Sequence, residues 1–318
     1  MIFLWIGLAL VALVVGMTLA ISYYCYRKTF FFDRRIKRDP EKFDLPHGTV
    51  YEPYYDVMME RMKQTRALPH RDYSIKSFDG LTLWGTFYEH KPDAPIELMF
   101  HGYKGSGERD LCSGVQRCFA MGHSAFIVDQ RCSDRSEGKV CTFGINERRD
   151  CHSWVQFLIQ EFGQDVKIVL TGVSMGAATV MMAASEPLPS NVKCILADCG
   201  YTSPKEIISL VMDNEGFPSK FLYPFMKLGA RIFGHFDLEE TSPREAMAKC
   251  PVPVIFFHGG DDDFVPCEMS KRNYDACIAP KVLSVTPGAG HCLGYLVDTK
   301  GYIDTLNKFY DSVPGLRA

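Results

Sequence analysis

The segment Lys167-Ile-Val-Leu-Thr-Gly-Val-Ser174-Met-Gly-Ala-Ala decides the fold of this 318-residue chain. Its first half is a short apolar run typical of a buried strand, and the residues after Ser174 have helical periodicity. Gly172, Ser174 and Gly176 form a G-x-S-x-G pattern at this junction. Because residues without bulk let strand and helix nearly touch, the pattern predicts a sharp turn that exposes the Ser174 hydroxyl.

Short apolar runs alternate with helical segments along the chain, which predicts an α/β fold with a mostly parallel central sheet and helices on both faces. The predicted strands are Ile96–Phe100, Ala125–Asp129, Lys167–Leu170, Cys194–Ala197, Val252–Phe257 and Val282–Val285. The clearest predicted helices are Arg148–Phe162 and Met175–Ser185. Ahead of them, the turn pair Asp79-Gly80 within the alternating residues Tyr73–Tyr88 indicates a β-hairpin. Ligands of such sheets bind at the carboxyl ends of the strands, so functional residues are expected there.

The composition divides the chain into three parts. Residues 1–26 are a predicted membrane anchor, residues 27–70 a charged and aromatic connector, and residues 71–318 the α/β domain. No strand is predicted between Asp198 and Pro251, and this interval is rich in aromatic residues. Residues of about 200–250 are therefore interpreted as a small helical cap within the domain.

The anchor is predicted from the run Ile2–Ile21, which contains no charged residue and would span roughly 30 Å as a helix. The basic residues that follow it are Arg27, Lys28, Arg34, Arg35, Lys37 and Arg38. By the positive-inside rule they predict a single-pass protein of the cell membrane with a cytoplasmic domain. A cleaved signal peptide is the alternative, but no basic residue precedes the apolar run.

The composition argues against nucleic-acid binding and metal binding. A formal charge of −3 without long runs of one sign does not favour nucleic acid as a partner. The 12 cysteines form no C-x-x-C pair, so reduced thiols are expected, and no zinc site or other metal site is predicted. No cofactor is called for, and the oligomeric state is not indicated.

A second candidate site segment, after the turn around Ser174, follows the predicted strand Ile96–Phe100. It is the glycine-rich stretch His101-Gly-Tyr103-Lys-Gly-Ser-Gly107. Acyl transfer needs donors for an oxyanion, and the backbone N–H groups of Tyr103 and Met175 are predicted to supply them. An ordinary glycine-rich connecting loop is the alternative. His101 is expected to be structural.

The remaining catalytic groups are predicted near the end of the chain. The last two predicted strands lead into His258-Gly-Gly-Asp-Asp262-Asp-Phe-Val-Pro and Gly-Ala-Gly-His291. Of nine histidines, His291 alone follows the last predicted strand within a glycine-containing loop, which favours it as the base that activates Ser174.

With Ser174, the chain order serine, acid, histidine resembles the α/β-hydrolase family, especially its bacterial esterases and serine-aminopeptidase-like members, over roughly residues 70–312. The resemblance implies the α/β-hydrolase fold and an acid at Asp262, the fourth residue after the histidine of H-G-x-x-D. Asp261, Asp263 and Asp198 remain alternatives. The loop from Cys132 to Gly138 departs from the family pattern, so no substrate is inferred from relatives.

These residues predict a serine hydrolase that cleaves acyl esters, or thioesters or amides, through an acyl-enzyme. Activity is expected to fall below about pH 6.5 as His291 becomes protonated. The aromatic cap and the anchor together suggest an apolar acyl ester or a lipid as substrate. The alternative is that the cap aromatics only pack on the sheet.

Three other functions are alternatives to this prediction. A peptidase-like hydrolase uses the same triad chemistry. A non-catalytic, membrane-tethered binding protein could have the same fold. A dinucleotide-binding oxidoreductase is disfavoured because Gly102, Gly105 and Gly107 have the spacing G-x-x-G-x-G instead of G-x-G-x-x-G.

Overall fold

The computed structural model of the chain describes residues 1–32 and 43–317. Four of the six basic residues predicted to flank the anchor, Arg34, Arg35, Lys37 and Arg38, lie outside the described residues.

The centre of the domain is one sheet of eight strands in the order β1-β2-β4-β3-β5-β6-β7-β8. The strands are β1 Arg71–Lys76, β2 Thr82–Tyr88, β3 Ile96–Phe100, β4 Ser124–Asp129, β5 Ile168–Val173, β6 Val192–Asp198, β7 Val254–Gly259 and β8 Lys281–Thr286. β1 and β2 form the predicted antiparallel hairpin, β2 pairs with β4 antiparallel, and the remaining pairs are parallel. The predicted mostly parallel sheet is confirmed.

Helices cover both faces of this sheet. The α-helices of the described chain, including those outside these two layers, are α1 Ile2–Thr29, α2 Tyr55–Ala67, α3 Gly107–Ala120, α4 Glu147–Phe162, α5 Met175–Ala183, α6 Pro204–Asn214, α7 Ser219–Phe233, α8 Pro243–Met247, α9 Cys267–Ala276, α10 Gly294–Val297 and α11 Thr299–Ser312. Alternate residues of a strand point to opposite faces. In β4, Phe126 packs in the cluster of Trp154 from α4, whereas Ile127 packs in the cluster of Val115 from α3. The apolar run of β4 is thus explained by burial on both sides.

Helices α6, α7 and α8 lie between β6 and β7, in the interval interpreted from the sequence as a cap. The buried apolar side chains of α6 and α7 belong to a cluster separate from the main core, whereas Met247 of α8 packs in the main core. Tyr223 and Met226 of α7 are buried in this cluster, while Phe217 and Phe221 are exposed. The cap aromatics therefore do not all pack on the sheet, because Tyr223 is buried in the separate cluster and Phe217 and Phe221 are exposed.

Helix α1 has two different halves. It is long and apolar enough to cross a membrane, a property that signal sequences share, and its first sixteen or so residues are exposed. It continues to Thr29, beyond the predicted end of the anchor at residue 26. Ser22, Cys25, Tyr26 and Phe30 are buried, at the spacing of one helix face. The last turns of α1 are thus packed into the cap cluster.

Candidate active site

Ser174 lies in the predicted sharp turn between β5 and α5. Its backbone has φ 54° and ψ −117°, a strained conformation for a residue with a side chain. A Cβ atom on Gly172 would overlap the backbone of Gly176, and a Cβ atom on Gly176 would overlap the Phe100 carbonyl of β3. The two glycines of the motif are therefore required by close packing of α5 against the neighbouring strands.

The structure brings Ser174, His291 and Asp262 together in one hydrogen-bonded series. His291 Nε2 lies 2.9 Å from Ser174 Oγ, and His291 Nδ1 lies 2.7 Å from Asp262 Oδ2. Asp262 Oδ1 accepts hydrogen bonds from the backbone N–H groups of Phe264 and Val265, at 3.0 and 2.8 Å. All three side chains are buried. The arrangement has the distances and order that a nucleophile, its base and an orienting acid require.

The three alternative acids do not occupy this position. Asp261 and Asp263 are exposed. Asp198, at the end of β6, accepts a hydrogen bond of 3.0 Å from the Tyr302 hydroxyl, and its backbone oxygen accepts one of 2.8 Å from the Ser174 N–H. Among the four predicted acids, Asp262 is the one bonded to His291.

The ionised carboxylate of Asp262 and the protonated imidazole of His291 stabilise each other. Burial opposes ionisation of Asp262, but hydrogen bonds from His258 and His291 hold the pKa of its carboxyl well below the usual value. Burial also opposes protonation of His291, yet the neighbouring carboxylate of Asp262 raises the pKa of its imidazole. His291 is therefore a stronger base than a free imidazole.

The turn predicted to bind an oxyanion lies next to Ser174. A Cβ atom built on Gly102 would stand 3.6 Å from Ser174 Cβ. Gly102 N–H donates to Asp110 Oδ2 at 2.9 Å, which fixes the turn. Within the described part of the chain, the backbone N–H groups of Tyr103 and Met175 have no hydrogen-bond partner. Both are thus available to a ligand at this turn.

His101 has the structural position expected for it. It is buried, and its Nε2 accepts a hydrogen bond of 3.1 Å from the Gln130 N–H. An imidazole that accepts at Nε2 carries its proton at Nδ1, which lies 2.8 Å from the Gly102 carbonyl and can donate to it. His101 therefore ties the turn after β3 to the end of β4.

The loop that departs from the family pattern also supports this turn. The Ser133 hydroxyl donates to the Gly105 carbonyl at 2.6 Å, and Cys132 and Asp134 have positive φ angles. The unusual sequence thus still forms a tight loop against the turn that carries Tyr103.

Sequence reasoning missed two neighbours of the series. His258 Nε2 lies 2.8 Å from the Val265 carbonyl and 3.2 Å from Asp262 Oδ2, so it must carry a proton that both acceptors share. The Phe264 ring packs edge-on against the His291 ring, with centroids 5.2 Å apart. The H-G-x-x-D pattern begins at His258, so the pattern itself could have indicated a histidine close to Asp262.

Two cavities meet at Ser174. The first, of about 470 Å³, lies under the cap. Its walls are largely apolar and include Met175, Tyr201, Ile207, Ile208, Val211, Met212, Phe217 and Met226. The second, of about 480 Å³, is more polar and lies on the His291 side, with walls that include His47, Thr49, Tyr51, Arg109, Asp110, Asp263 and Cys292.

Helix α1 and the predicted connector contribute to these walls, which no local sequence pattern indicated. Lys28 and Thr29 of α1 line the apolar cavity, and the Tyr103 hydroxyl donates to the Thr29 carbonyl at 2.6 Å. In the connector, Val50 packs so closely on Gly290 that a Cβ atom there would overlap its side chain. Both regions are structural parts of the site.

One cluster near the site has the residue types of a metal centre. Ligand atoms of Cys199, His291 and Cys292 lie within 4.8 Å of one another. However, both ring nitrogens of His291 are already bonded, Nε2 to Ser174 Oγ and Nδ1 to Asp262 Oδ2, so the imidazole offers no free nitrogen to a metal ion in this arrangement.

Comparison with known proteins agrees with this architecture. A family model described as the α/β hydrolase fold matches residues 98–248. The uncharacterized protein YqkD of Bacillus subtilis is 27% identical over 194 residues, which are 61% of this chain and 64% of YqkD, less than two thirds of its length. Polyketide transferase ATR5 of Stachybotrys chlorohalonatus is 24% identical over an alignment of 270 residues that covers 70% of this chain and 90% of the relative.

Among solved structures, the esterase Pf2001 of Pyrococcus furiosus superposes with a TM-score of 0.65 at 21% identity, covering 80% of this chain and 94% of the esterase. At this identity the likeness concerns the fold. The sheet order and the serine turn after β5 thus define the α/β-hydrolase fold, as predicted. The chain is therefore similar to α/β hydrolases in the matched segment and in its fold.

Proposed function

We propose that the chain is a serine hydrolase that cleaves acyl esters through an acyl-enzyme, with Ser174 as nucleophile, His291 as base and Asp262 as orienting acid. The observation that carries the proposal is the buried series in which His291 bonds Ser174 Oγ at 2.9 Å and Asp262 at 2.7 Å. Its position at the junction of two cavities gives a substrate access to the hydroxyl. The relatives described as esterases share the fold that such an activity needs.

In the proposed mechanism, His291 Nε2 accepts the proton of Ser174 as Oγ attacks the acyl carbonyl. Asp262 keeps the Nδ1–H tautomer and balances the charge of the imidazolium. The N–H groups of Tyr103 and Met175 bind the developing oxyanion, each contributing about 3 kcal/mol of transition-state stabilisation. The alcohol leaves with the proton from His291, and water then releases the acyl group by the same steps.

The positions of the two cavities assign the two halves of the substrate. The leaving group must receive its proton from His291, and His291 lines the polar cavity but not the apolar one. The alcohol therefore belongs in the polar cavity. Consequently the acyl chain lies in the apolar cavity under the cap, among Ile207, Ile208 and Met226.

We further propose that α1 is a retained single-pass anchor with the domain on the cytoplasmic side. Cleavage of α1 as a signal peptide would remove Cys25, Tyr26 and Phe30 from the cap cluster and Thr29 from the cavity wall. Arg27 and Lys28, at the end of the apolar helix, favour a cytoplasmic flank.

A serine-directed fluorophosphonate probe tests the proposed nucleophile. We expect the full chain to be labelled and to hydrolyse 4-methylumbelliferyl butyrate, and Ser174→Ala to lose both properties because the reactive hydroxyl is gone. Ser185→Ala, just beyond the end of α5, is the matched control and should keep both. An unlabelled, inactive wild-type chain would instead favour the non-catalytic binding protein.

The chain-length preference tests the assignment of the apolar cavity. Each methylene buried contributes about 0.8 kcal/mol, so kcat/KM for an octanoyl ester should exceed that for the acetyl ester by at least about 10-fold. Val211→Trp, which fills the cavity, should reduce this ratio while acetyl ester hydrolysis is retained. A preference for acetyl esters would contradict the assignment, and faster hydrolysis of aminoacyl amides would favour a peptidase.

A further inference from the structure

Residues 46–51 of the predicted connector line the polar cavity, and we call them the strap. Ser174 and His291 line the same cavity, so the strap faces the reacting groups. The Tyr55 hydroxyl, at the start of α2, donates to the Pro46 carbonyl at 2.9 Å. The leaving-group side of the site is therefore formed in part by a segment that belongs to no strand or helix of the domain.

The strap is held against two loops of the proposed active site. Val50 packs on Gly290, in the loop of the proposed base, where a Cβ atom on the glycine would stand 2.7 Å from Val50 Cγ2. Two residues before the strap, the Asp44 carboxylate lies 3.8 Å from the Arg109 guanidinium, which donates to Asp110 at 2.7 Å. Asp110 in turn accepts a hydrogen bond from the turn after β3. The strap therefore keeps a set position relative to both loops.

Three strap side chains can form hydrogen bonds with a ligand in the cavity. His47, Thr49 and Tyr51 line it, and within the described chain none of these side chains has a hydrogen-bond partner. His47 and Thr49 are exposed, whereas Tyr51 is partly buried. Burial raises the pKa of the Tyr51 hydroxyl, and the nearby Cys292 and Asp262 add to this effect. The hydroxyl therefore stays protonated beside the triad and can donate.

The charges around the cavity favour a neutral alcohol. Arg109 contributes a positive charge to the wall, but it is already bonded to Asp110 and paired with Asp44, so it does not suit a phosphate. Asp110 and Asp263 line the cavity as well and repel an anion. An apolar alcohol would cover the Tyr51 hydroxyl without giving it a partner, which costs free energy. A neutral alcohol with further hydroxyl groups avoids both penalties.

We propose that the strap is the leaving-group subsite and that Tyr51 determines its specificity by donating a hydrogen bond to a second hydroxyl of the alcohol. The substrate is then the acyl ester of a neutral polyol such as glycerol. This inference rests on the proposed hydrolase function and adds the class of alcohol.

The same subsite should also admit a polyol as acyl acceptor, because the reverse of the leaving step uses the same path. A glycerol hydroxyl then attacks the acyl carbonyl of the acyl-enzyme while His291 accepts its proton. The bond between the acyl carbon and Ser174 Oγ breaks, and His291 returns the proton to Oγ. The products are a glycerol ester and the unmodified serine.

The first test compares glycerol 1-butyrate with ethyl butyrate, using the full chain in detergent micelles. Tyr51→Phe should lower the ratio of kcat/KM for the glycerol ester to kcat/KM for the ethyl ester by about 3–10-fold, which corresponds to the loss of one neutral hydrogen bond. Tyr54→Phe is the matched control, because Tyr54 follows the strap but does not line the cavity. Its ratio should equal that of the wild-type chain.

The second test measures how the acyl-enzyme divides between two acceptors. With 4-methylumbelliferyl butyrate as donor and equal concentrations of glycerol and ethanol, Tyr51→Phe should form less glycerol ester relative to ethyl ester, by the same factor as in the first test. Both ratios are independent of the fraction of enzyme that is folded, so partial unfolding of a variant does not affect them.

Unchanged ratios in Tyr51→Phe, or an equal decrease in Tyr54→Phe, would overturn the inference. Faster hydrolysis of butyrylcholine than of glycerol 1-butyrate would overturn it as well, in favour of a cationic alcohol. In each of these cases the chain is still labelled by the fluorophosphonate and still cleaves butyrate esters. Loss of labelling together with loss of all ester hydrolysis would instead reject the hydrolase function itself.

Discussion

Asp262→Asn should lower kcat for ester hydrolysis by about 10⁴-fold. The asparagine oxygen can still accept the N–H groups of Phe264 and Val265, so the loop should keep its shape. Its amide, however, would donate towards His291 Nδ1 and so select the tautomer that carries the proton at Nε2. That nitrogen could then no longer accept the proton of Ser174, which explains a large loss without unfolding.

The same variant should change the pH profile. In the wild-type chain, Asp262 raises the pKa of His291 above that of a free imidazole. Protonated His291 cannot act as a base, so activity should decline as the pH falls through this raised pKa. The acid limb of kcat/KM is thus expected above the pH of about 6.5 that the sequence alone suggested. Loss of the carboxylate should move the limb to lower pH.

Asp261→Asn provides the matched control, because it removes the same charge from an exposed neighbour in the same acidic run. We expect its kcat and its acid limb to stay close to those of the wild-type chain. Similar losses in both variants would show that the charge of the loop matters rather than the contact with His291. A full rate in Asp262→Asn would leave His291 without its proposed partner.

Much of the sheet and of the site could be predicted because the relevant information is local. The strand β3 was predicted with its observed bounds, and the motif around Ser174 combines a strand, a turn and a helix within a dozen residues. The loops with Asp262 and His291 each follow a strand of one parallel sheet. Since the carboxyl ends of parallel strands lie along one edge, local patterns were enough to bring these loops near each other.

The contacts of α1 could not be predicted in this way. An apolar helix face has the same composition whether it contacts lipid or a second helix, and Cys25 and Phe30 carry no signal that distinguishes the two. The small residue that lets α1 approach α7 is Gly229, which is about 200 residues away in the chain. Similarly, nothing near Val50 indicates that it packs against the loop of His291. Such pairings are decided by tertiary packing alone.

The second large effect concerns stability and involves a buried charge in β3 that is remote from the nucleophile. Glu97 is wholly buried, and its carboxylate accepts a hydrogen bond of 2.7 Å from Arg117 Nη2 in α3. Tyr310 of α11 donates to it at 3.0 Å, and His123 Nδ1 lies 3.0 Å from it. Despite burial, Arg117 and His123 hold the pKa of Glu97 well below its usual value, so the group is charged.

Glu97→Gln should lower the free energy of unfolding by about 3–5 kcal/mol, because it leaves the buried Arg117 guanidinium without a counter-charge. Denaturant unfolding of the full chain in detergent micelles would measure this loss. The control Glu89→Gln removes a carboxylate that pairs with Arg71 at the surface, where such pairs contribute about 0–1 kcal/mol.

The double variant with Arg117→Met separates the unpaired charge from other consequences of the substitution. If Arg117 left alone is the cause, removing its charge as well should restore part of the stability lost in Glu97→Gln. Additive losses in the double variant would contradict that cause. They would indicate instead that the bonds from Tyr310 and Thr171 to Glu97 stabilise the junction of β3, β5 and α11.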